Sequence, residues 1–213
     1  MYSNSLGIMP FQVRGPPASG KSTLANLLYR HIQQMEPDAP IVWLESWSME
    51  QVHAASSGWM DYISNVIGWK YHKAPRNSVI ILDDAQQSYW DLSLWNELFK
   101  PISGSFEKSF RVIVFAGYGD PCRAGPTETS MVIPQKHRIT LRTSHHNDGL
   151  PEVGLLFTLE ELHEFVDQRF KSHSFDPAFL TMLHSRTAGH IGATEDLLRV
   201  IQAHDVCFHP RDF

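Results

Sequence analysis

Short apolar runs alternate with longer amphipathic stretches along the first two-thirds of the chain, a pattern typical of α/β proteins. The runs that suit buried strands cover residues 11–13, 41–44, 79–82, 111–116 and 138–141. Apolar residues recur at helical spacing after the first run, and Pro37 and Pro40 lie beyond them, so we predict a helix over residues 21–35. Residues 90–99, and part of 45–76, are also predicted to be helical. The pattern predicts a parallel sheet of five strands with helices on both faces.

The chain changes character after residue 150, where the strand-like runs end. A capping-box pattern at Thr158 and an Asp-Pro pair at Asp176 predict two helix starts. A glycine-containing break at 187–192 precedes a third predicted helix. We therefore expect a core over residues 1–150 and a small helical lid subdomain over residues 151–213.

Composition places the chain among ordinary globular proteins. It has 213 residues, 42% of them hydrophobic, and a net charge of −5, which does not indicate a nucleic-acid surface. The two cysteines, Cys122 and Cys207, suit a reducing compartment and argue against a disulfide framework or a zinc site. No signal-peptide pattern and no apolar run of about 18 residues is present. We expect a cytoplasmic protein, with the nucleus as an alternative, and no membrane contact.

One glycine-rich stretch has the phosphate-binding pattern G-x-x-x-x-G-K-[ST]. It comprises Gly15, Pro16, Pro17, Ala18, Ser19, Gly20, Lys21 and Ser22, and Thr23 follows. Glycines let the backbone turn tightly enough to aim successive N–H groups at phosphate oxygens. Lys21 can reach the β- and γ-phosphates, and the Ser22 hydroxyl can ligate Mg²⁺. Because a strand precedes the stretch and a helix follows it, we assign residues 15–23 to nucleoside triphosphate binding.

The apolar run at 79–82 ends in two acids, Asp83 and Asp84, which together have the form of a Walker B motif. Ligands of open α/β sheets lie at the carboxyl ends of the strands, where the phosphate loop also lies. We expect Asp83 to hold Mg²⁺ and Asp84 to polarise the attacking water. A merely solvated Asp-Asp turn is the alternative. With these motifs on the first and third strands we expect the order 5-1-4-3-2, whereas adjacent motif strands would favour a kinase.

Two further positions are candidates for nucleotide contacts. The fourth strand ends at Gly117, where many ATPases present a polar side chain to the γ-phosphate, and Tyr118 or Asp120 could supply that group. A plain glycine-rich turn is an equal alternative there. His190 lies in the glycine-flanked break of the helical region and could face the nucleotide.

The motif residues resemble the P-loop NTPase module of fungal and oomycete Crinkler-type proteins. The resemblance lies in residues 13–25, 80–86, 115–119, 154–158 and 188–193. More broadly the chain is similar to AAA+ and STAND ATPases, in which a P-loop core carries a helical lid. The resemblance implies a three-layer P-loop NTPase fold, ATP with Mg²⁺ as ligands, and a lid break that contacts the nucleotide. Two departures stand out, since Asp84 replaces the usual Glu and Gly117 replaces a Ser- or Thr-like residue.

The leading interpretation is an ATP-binding, Mg²⁺-dependent NTPase that acts as a nucleotide switch. A small-molecule or nucleotide kinase is one alternative. A nucleotide-binding interaction module with little or no hydrolysis is the other, favoured by the two departures. Switch NTPases often take an arginine from a neighbour, so a homo-oligomer or a partner protein is expected. The candidates for that arginine are Arg123, Arg138 and Arg142.

Overall fold

The computed structural model describes residues 10–68, 78–99, 111–117, 133–139, 154–171 and 174–203. The chain splits into two compact units. The first, here the sheet unit, contains Met1–Gly15 and Lys21–Ile139, and the second, the helical unit, contains Pro16–Gly20 and Thr140–Phe213. The predicted division between residues 150 and 151 stays a prediction, because residues 140–153 lie outside the described ranges.

The sheet unit is built on five parallel strands. They are β1 (Phe11–Arg14), β2 (Ile41–Leu44), β3 (Val79–Leu82), β4 (Arg111–Ala116) and β5 (Arg138–Ile139). Their order is β2-β3-β4-β1-β5, which confirms the predicted order. β4 therefore separates β1 from β3. The predicted β5 extended to residue 141, and its last two positions lie outside the described residues.

Both faces of the sheet are covered, as the continuous apolar run of β3 predicts. All four β3 side chains are buried, although successive residues point to opposite faces. Ile80 and Leu82 belong to one large apolar cluster that continues through β4. Helix α1 (Lys21–Met35), which has the predicted bounds, contacts β2 and β4 and buries Ala25 and Ile32. The result is a three-layer α/β arrangement.

Tryptophans fill much of the large apolar cluster. Helices α2 (Met49–Ala54) and α3 (Trp59–Ile67) follow β2, and Trp47 and Trp59 are buried there. Trp43 is half-buried, and its ring centroid lies 5.8 Å from that of Tyr29.

The segment after β3 differs from its predicted regular helix over residues 90–99. A 3₁₀ turn, Ala85–Ser88, is followed by a π-helical turn, Leu94–Phe99. Asp91 caps the second turn, since its Oδ1 accepts from the Leu94 N–H at 3.0 Å while its Oδ2 accepts from Trp47 Nε1 at 3.2 Å. Because Asp91 serves as a cap, the helical turn begins after it rather than at Trp90.

Three helices form the helical unit within its described residues: α4 (Leu159–Arg169), α5 (Pro177–Thr187) and α6 (Ile191–Ala203). The predicted capping box is confirmed, with Thr158 Oγ1 accepting from the Glu161 N–H at 3.2 Å. Asp176 caps α5, and Pro177 occupies its first turn as predicted. None of the described helices has the length and apolar character that crossing a membrane requires.

Candidate functional site

The glycine-rich loop after β1 adopts a backbone that suits anion binding. Ala18 (φ +56°) and Gly20 (φ +81°) both lie in the left-handed region, which is the kind of alternation that forms an anion-binding nest. The Ser19 hydroxyl donates to the Pro16 carbonyl at 2.9 Å and tightens the turn. Gly15 donates its N–H to Ala116 O at 3.2 Å, so the loop leaves the sheet beside the end of β4.

Lys21 is the first residue of α1 and follows the glycine-rich loop directly. Its cationic side chain is buried. Only 8% of its surface is exposed. Burial lowers the pKa of Lys21 below its ordinary value of 10.5, while the negative charges of Asp84 and Asp83 act in the opposite direction. Burying an ammonium group is costly unless an anion compensates it. A phosphate would place a further anion beside this buried positive charge.

Asp83 and Asp84 follow β3 and differ in backbone and environment. Asp83 is 5% exposed, and its Oδ1 accepts from the Asp84 N–H at 2.9 Å. Asp84 is half-buried and has φ +47°, a left-handed conformation that is uncommon for residues other than glycine, asparagine and aspartate. An aspartate can adopt this conformation at little cost, and it turns the chain sharply where β3 ends.

Two glutamines bind the Asp84 carboxylate, and their role was missed by reasoning from the sequence. Gln86 Nε2 donates to Oδ1 and Gln87 Nε2 donates to Oδ2, each at 3.1 Å. Gln86 also accepts the Gly117 N–H through its Oε1 at 2.8 Å. Only Ala85 separates the two glutamines from the acid pair in the sequence, and this proximity is the signal that could have drawn attention to them.

Two residues predicted to contact the metal or the end of the phosphate-binding loop are exposed to solvent. Ser22 and Thr23, in the first turn of α1, are exposed. No cluster of three or more His, Cys, Asp or Glu side chains that could hold a metal ion occurs in the described residues. Mg²⁺ does not require such a cluster, because it is commonly held by one or two protein ligands together with substrate phosphates and water.

His190 contacts the phosphate-binding loop, within the helical unit. Its Nδ1 accepts the Ala193 N–H at 3.1 Å, so the hydrogen of the neutral ring is on Nε2. Nε2 then donates to the Pro17 carbonyl oxygen, 3.1 Å away. The described partners of this ring are thus the loop and the start of α6.

The start of α6 also packs closely on the same loop. The Gly192 N–H donates to Ala18 O at 3.0 Å. A Cβ atom added at Gly192 would lie 2.5 Å from Ala18 Cβ and 2.7 Å from Ala18 O, so only glycine allows this approach. A Cβ at Gly20 would lie 3.3 Å from Ile191 Cδ1. Residues 16–20 are therefore held by α6 through backbone contact.

Several residues named from the sequence cannot be placed with the others. Tyr118, Asp120, Arg123 and Arg142 lie outside the described residues. Arg138 lies on β5 and is half-buried. Gly117, the first residue after β4, is bonded to Gln86 as given above.

The structure has the three-layer α/β fold of P-loop NTPases. Three features define it: the sheet order, the glycine-rich loop between β1 and α1, and the two acids at the end of β3. No family model and no curated protein matches the chain, so the resemblance to Crinkler-type modules stays a prediction.

Solved structures that match the chain include two variants of RuvB from Thermotoga maritima. The first is 14% identical with a TM-score of 0.42, covering 92% of this chain and 56% of that one. The second is 12% identical with a TM-score of 0.43, covering 93% of this chain and 58% of that one. PCH-2 from C. elegans is 12% identical with a TM-score of 0.36, covering 92% of this chain and 63% of that one. The chain thus spans less than two-thirds of each of these proteins.

Proposed function

We propose that the protein is an ATP-binding, Mg²⁺-dependent P-loop NTPase that acts as a nucleotide switch, of the AAA+ or STAND type found in Crinkler-type proteins. The observation that carries the proposal is the buried Lys21 beside Asp83 and Asp84. A cation at the end of a left-handed loop and two carboxylates after a central strand form the charge pattern that a metal-bound triphosphate complements. Structural ion pairs can also have this pattern, and the left-handed backbone of Ala18 in the loop, unfavourable for an alanine, favours the functional interpretation.

Each residue of the site has a proposed role. The backbone of residues 15–20 binds phosphate oxygens, and Lys21 neutralises the β- and γ-phosphates. Ser22 and Asp83 would hold Mg²⁺, which when bound neutralises charge that develops on the phosphates. Thr23 lies in the same helical first turn, whose N–H groups favour anions.

Asp84 is the proposed acceptor for the attacking water. Its two oxygens accept from Gln86 and Gln87, which leaves lone pairs on each oxygen, because an ionised carboxylate offers about four acceptor sites. Asp84 can therefore orient a water molecule while the amides hold its side chain in place. The water oxygen bonds to the γ-phosphorus as the bond from that phosphorus to the β,γ-bridging oxygen breaks, which releases ADP and phosphate. The Asp84 carboxylate takes the proton that the water loses.

The strand order favours hydrolysis over the kinase alternative. Adjacent β1 and β3 would have favoured a kinase, whereas β4 lies between them. A nucleotide-binding module without turnover remains a second candidate, because both oxygens of Asp84 are already engaged by amides. Phosphate release separates these candidates, since only the NTPase produces it without an acceptor.

The helical unit is the proposed reporter of nucleotide state. His190 and Gly192 hold the backbone of Pro17 and Ala18, two residues of the phosphate-binding loop. Nucleotide binding that alters this loop would alter the start of α6 as well. In this proposal residues 151–213 are the lid, residues 1–150 are the core, and His190 acts on nucleotide binding through the loop.

An arginine from a second copy or a partner protein is proposed to complete the site, with Arg138 and the undescribed Arg123 and Arg142 as candidates. Such a residue contributes roughly 10³ to 10⁵ in rate in other switch NTPases. Turnover per protein molecule that stays constant over a wide concentration range would exclude the version in which copies of this chain assemble.

The test of the proposed function is ATP binding by calorimetry and phosphate release, each with and without Mg²⁺. We expect binding and turnover that both depend on Mg²⁺. Lys21→Ala should lower ATP affinity by about tenfold to a hundredfold, because it removes charge-assisted hydrogen bonds to phosphate. A folded Lys21→Ala variant with wild-type ATP affinity would contradict the proposal.

A further inference from the structure

The Gln86 side chain bridges the ends of two neighbouring strands. Its Nε2 donates to Asp84 Oδ1 at 3.1 Å, and its Oε1 accepts the Gly117 N–H at 2.8 Å. Gln86 and Gly117 are 31 residues apart in the sequence and meet because β3 and β4 are paired in parallel. One amide group therefore links the second acid of the site to the tip of β4.

Gln86 fills the space beside a position that has no side chain. A Cβ atom added at Gly117 would lie 3.6 Å from Gln86 Cδ and 3.7 Å from Nε2, which is ordinary van der Waals contact. The amide thus lies next to the point where a side chain at residue 117 would begin. The tip of β4 has a polar group nearby after all, and that group comes from Gln86.

We propose that Gln86 is the positioning residue that senses the γ-phosphate, supplying at the tip of β4 the polar group that Gly117 lacks and fixing Asp84 for the attacking water. This inference rests on the proposed NTPase function. The Gln86 amide nitrogen carries two hydrogens, and the bond to Asp84 uses one of them. The second can bind a γ-phosphate oxygen or the water, so ATP and ADP would differ in their contact with this residue.

The chain offers a matched control in the next residue. Gln87 Nε2 also donates to Asp84 at 3.1 Å, but to Oδ2, and the Gly117 N–H donates to Gln86 instead. Alanine at either position removes one amide bond to the same carboxylate. A difference between the two variants therefore measures the contribution of the tip of β4 and not the general support of Asp84.

The experiment compares wild type, Gln86→Ala, Gln87→Ala and the double variant Gln86→Ala/Gly117→Ser. It measures kcat and KM for phosphate release, and affinity for ATP and for ADP by calorimetry. We expect Gln86→Ala to lower kcat about tenfold to a hundredfold and to raise KM by a much smaller factor, because misplacement of a reacting group by about 1 Å has effects of that order on the rate. The ratio of ATP to ADP affinity should fall too. Gln87→Ala should lower kcat severalfold less than Gln86→Ala does.

The double variant tests whether a polar group at the tip of β4 is what matters. A Cβ atom at residue 117 meets only ordinary contacts, and the hydroxyl of a serine there should restore part of the kcat lost in Gln86→Ala. A purely structural role for Gln86 predicts no such recovery. Equal losses in the two alanine variants, with no recovery by serine, would overturn the inference while leaving the NTPase proposal intact.

Two other outcomes are also decisive. If wild type binds ATP without hydrolysing it, an unchanged ratio of ATP to ADP affinity in Gln86→Ala overturns the inference, and a reduced ratio supports it. If folded wild type binds neither nucleotide, both this inference and the proposed function are wrong. Thermal unfolding of each variant verifies that the protein measured is folded.

Discussion

The Nε2 atom of His190 lies 3.1 Å from the carbonyl oxygen of Pro17, although the two residues are 173 positions apart in the sequence. The same imidazole accepts the Ala193 N–H through Nδ1 and so caps the start of α6. One side chain therefore caps the start of α6 and also contacts the backbone of the phosphate-binding loop. These two roles can be separated by substitution.

His190→Asn should retain the helix cap, because asparagine is among the best N-cap residues, and should lose the longer reach to Pro17. We expect a midpoint of thermal unfolding close to wild type and an ATP affinity lowered about two- to tenfold, as for the loss of one neutral hydrogen bond. His190→Ala should lower ATP affinity equally and also destabilise the protein by about 1 kcal/mol. Wild-type ATP affinity in both variants would show that the contact with Pro17 does not influence binding.

Gly192→Ala should destabilise the protein, against the usual trend. Alanine in place of glycine in a helix usually stabilises by about 0.5–1 kcal/mol. Here the added Cβ would lie 2.5 Å from Ala18 Cβ and 2.7 Å from Ala18 O, so the loop or the helix must shift. Overpacking of this kind costs about 1–3 kcal/mol, and we expect reduced ATP affinity as well.

Gly117→Ala is the control for that substitution, since its Cβ would meet Gln86 no closer than 3.6 Å. It should fold with nearly unchanged stability, measured by urea denaturation beside Gly192→Ala. Stabilisation of the protein by Gly192→Ala would mean that α6 does not pack on Ala18 as described.

The elements that could be predicted from the sequence are those set by local pattern. α1 has its predicted bounds because its apolar spacing, its glycine-rich start and the prolines beyond it all lie within one stretch. β3 was predicted because four consecutive apolar residues suit a strand buried on both faces. The acids after β3 were identified for the same reason, as neighbours of that run.

The features that could not be predicted depend on contacts between distant residues. The helical segment that ends at Phe99 begins only after its cap Asp91, whose second carboxylate oxygen binds Trp47 far upstream. Gln86 gains its partner at Gly117 only when β4 pairs with β3. Periodicity in one sequence carries no information about such pairs.

Lys21→Met should stabilise the protein in the absence of nucleotide while weakening ATP binding. Burial lowers the pKa of Lys21 below 10.5, so the unfolded chain binds more protons than the folded protein between the lowered value and 10.5. The charge therefore destabilises the fold fully below the lowered pKa, and this cost disappears as the pH rises past 10.5. Methionine carries no charge, so the variant lacks this cost at every pH.

The measurement is the unfolding midpoint of wild type and Lys21→Met from neutral to alkaline pH. The variant should have the higher midpoint at neutral pH, and the difference should shrink as the pH rises. Lys171→Met, at an exposed position, is the control and should change stability by no more than about 0.5 kcal/mol. A midpoint for Lys21→Met below that of wild type at neutral pH would contradict the expected cost of burial.

Substitution of Asp83 should weaken Mg²⁺-dependent ATP binding, whereas substitution of Asp84 should reduce turnover. Asp83→Asn should weaken ATP binding in the presence of Mg²⁺ and leave Mg²⁺-free binding much less affected, because a divalent ion beside phosphates needs a carboxylate in or near its shell. Calorimetry with and without Mg²⁺ measures both values. Equal effects in the two conditions would remove Asp83 from the metal site.

Asp84→Asn should leave ATP binding intact and reduce turnover by at least about a hundredfold, since an amide cannot accept a proton as the carboxylate does. Asparagine tolerates the left-handed φ of +47° well, so the backbone should be preserved. Asp84→Glu restores the side chain that the resemblance leads one to expect, but glutamate fits this φ less well, at a cost of about 1 kcal/mol. The unfolding midpoint of Asp84→Glu should therefore be lower than that of wild type. Its kcat should be higher if the reach of the carboxylate limits the rate. Equally slow phosphate release by wild type and Asp84→Asn would show that Asp84 does not act on water, and the binding module would then be the better interpretation.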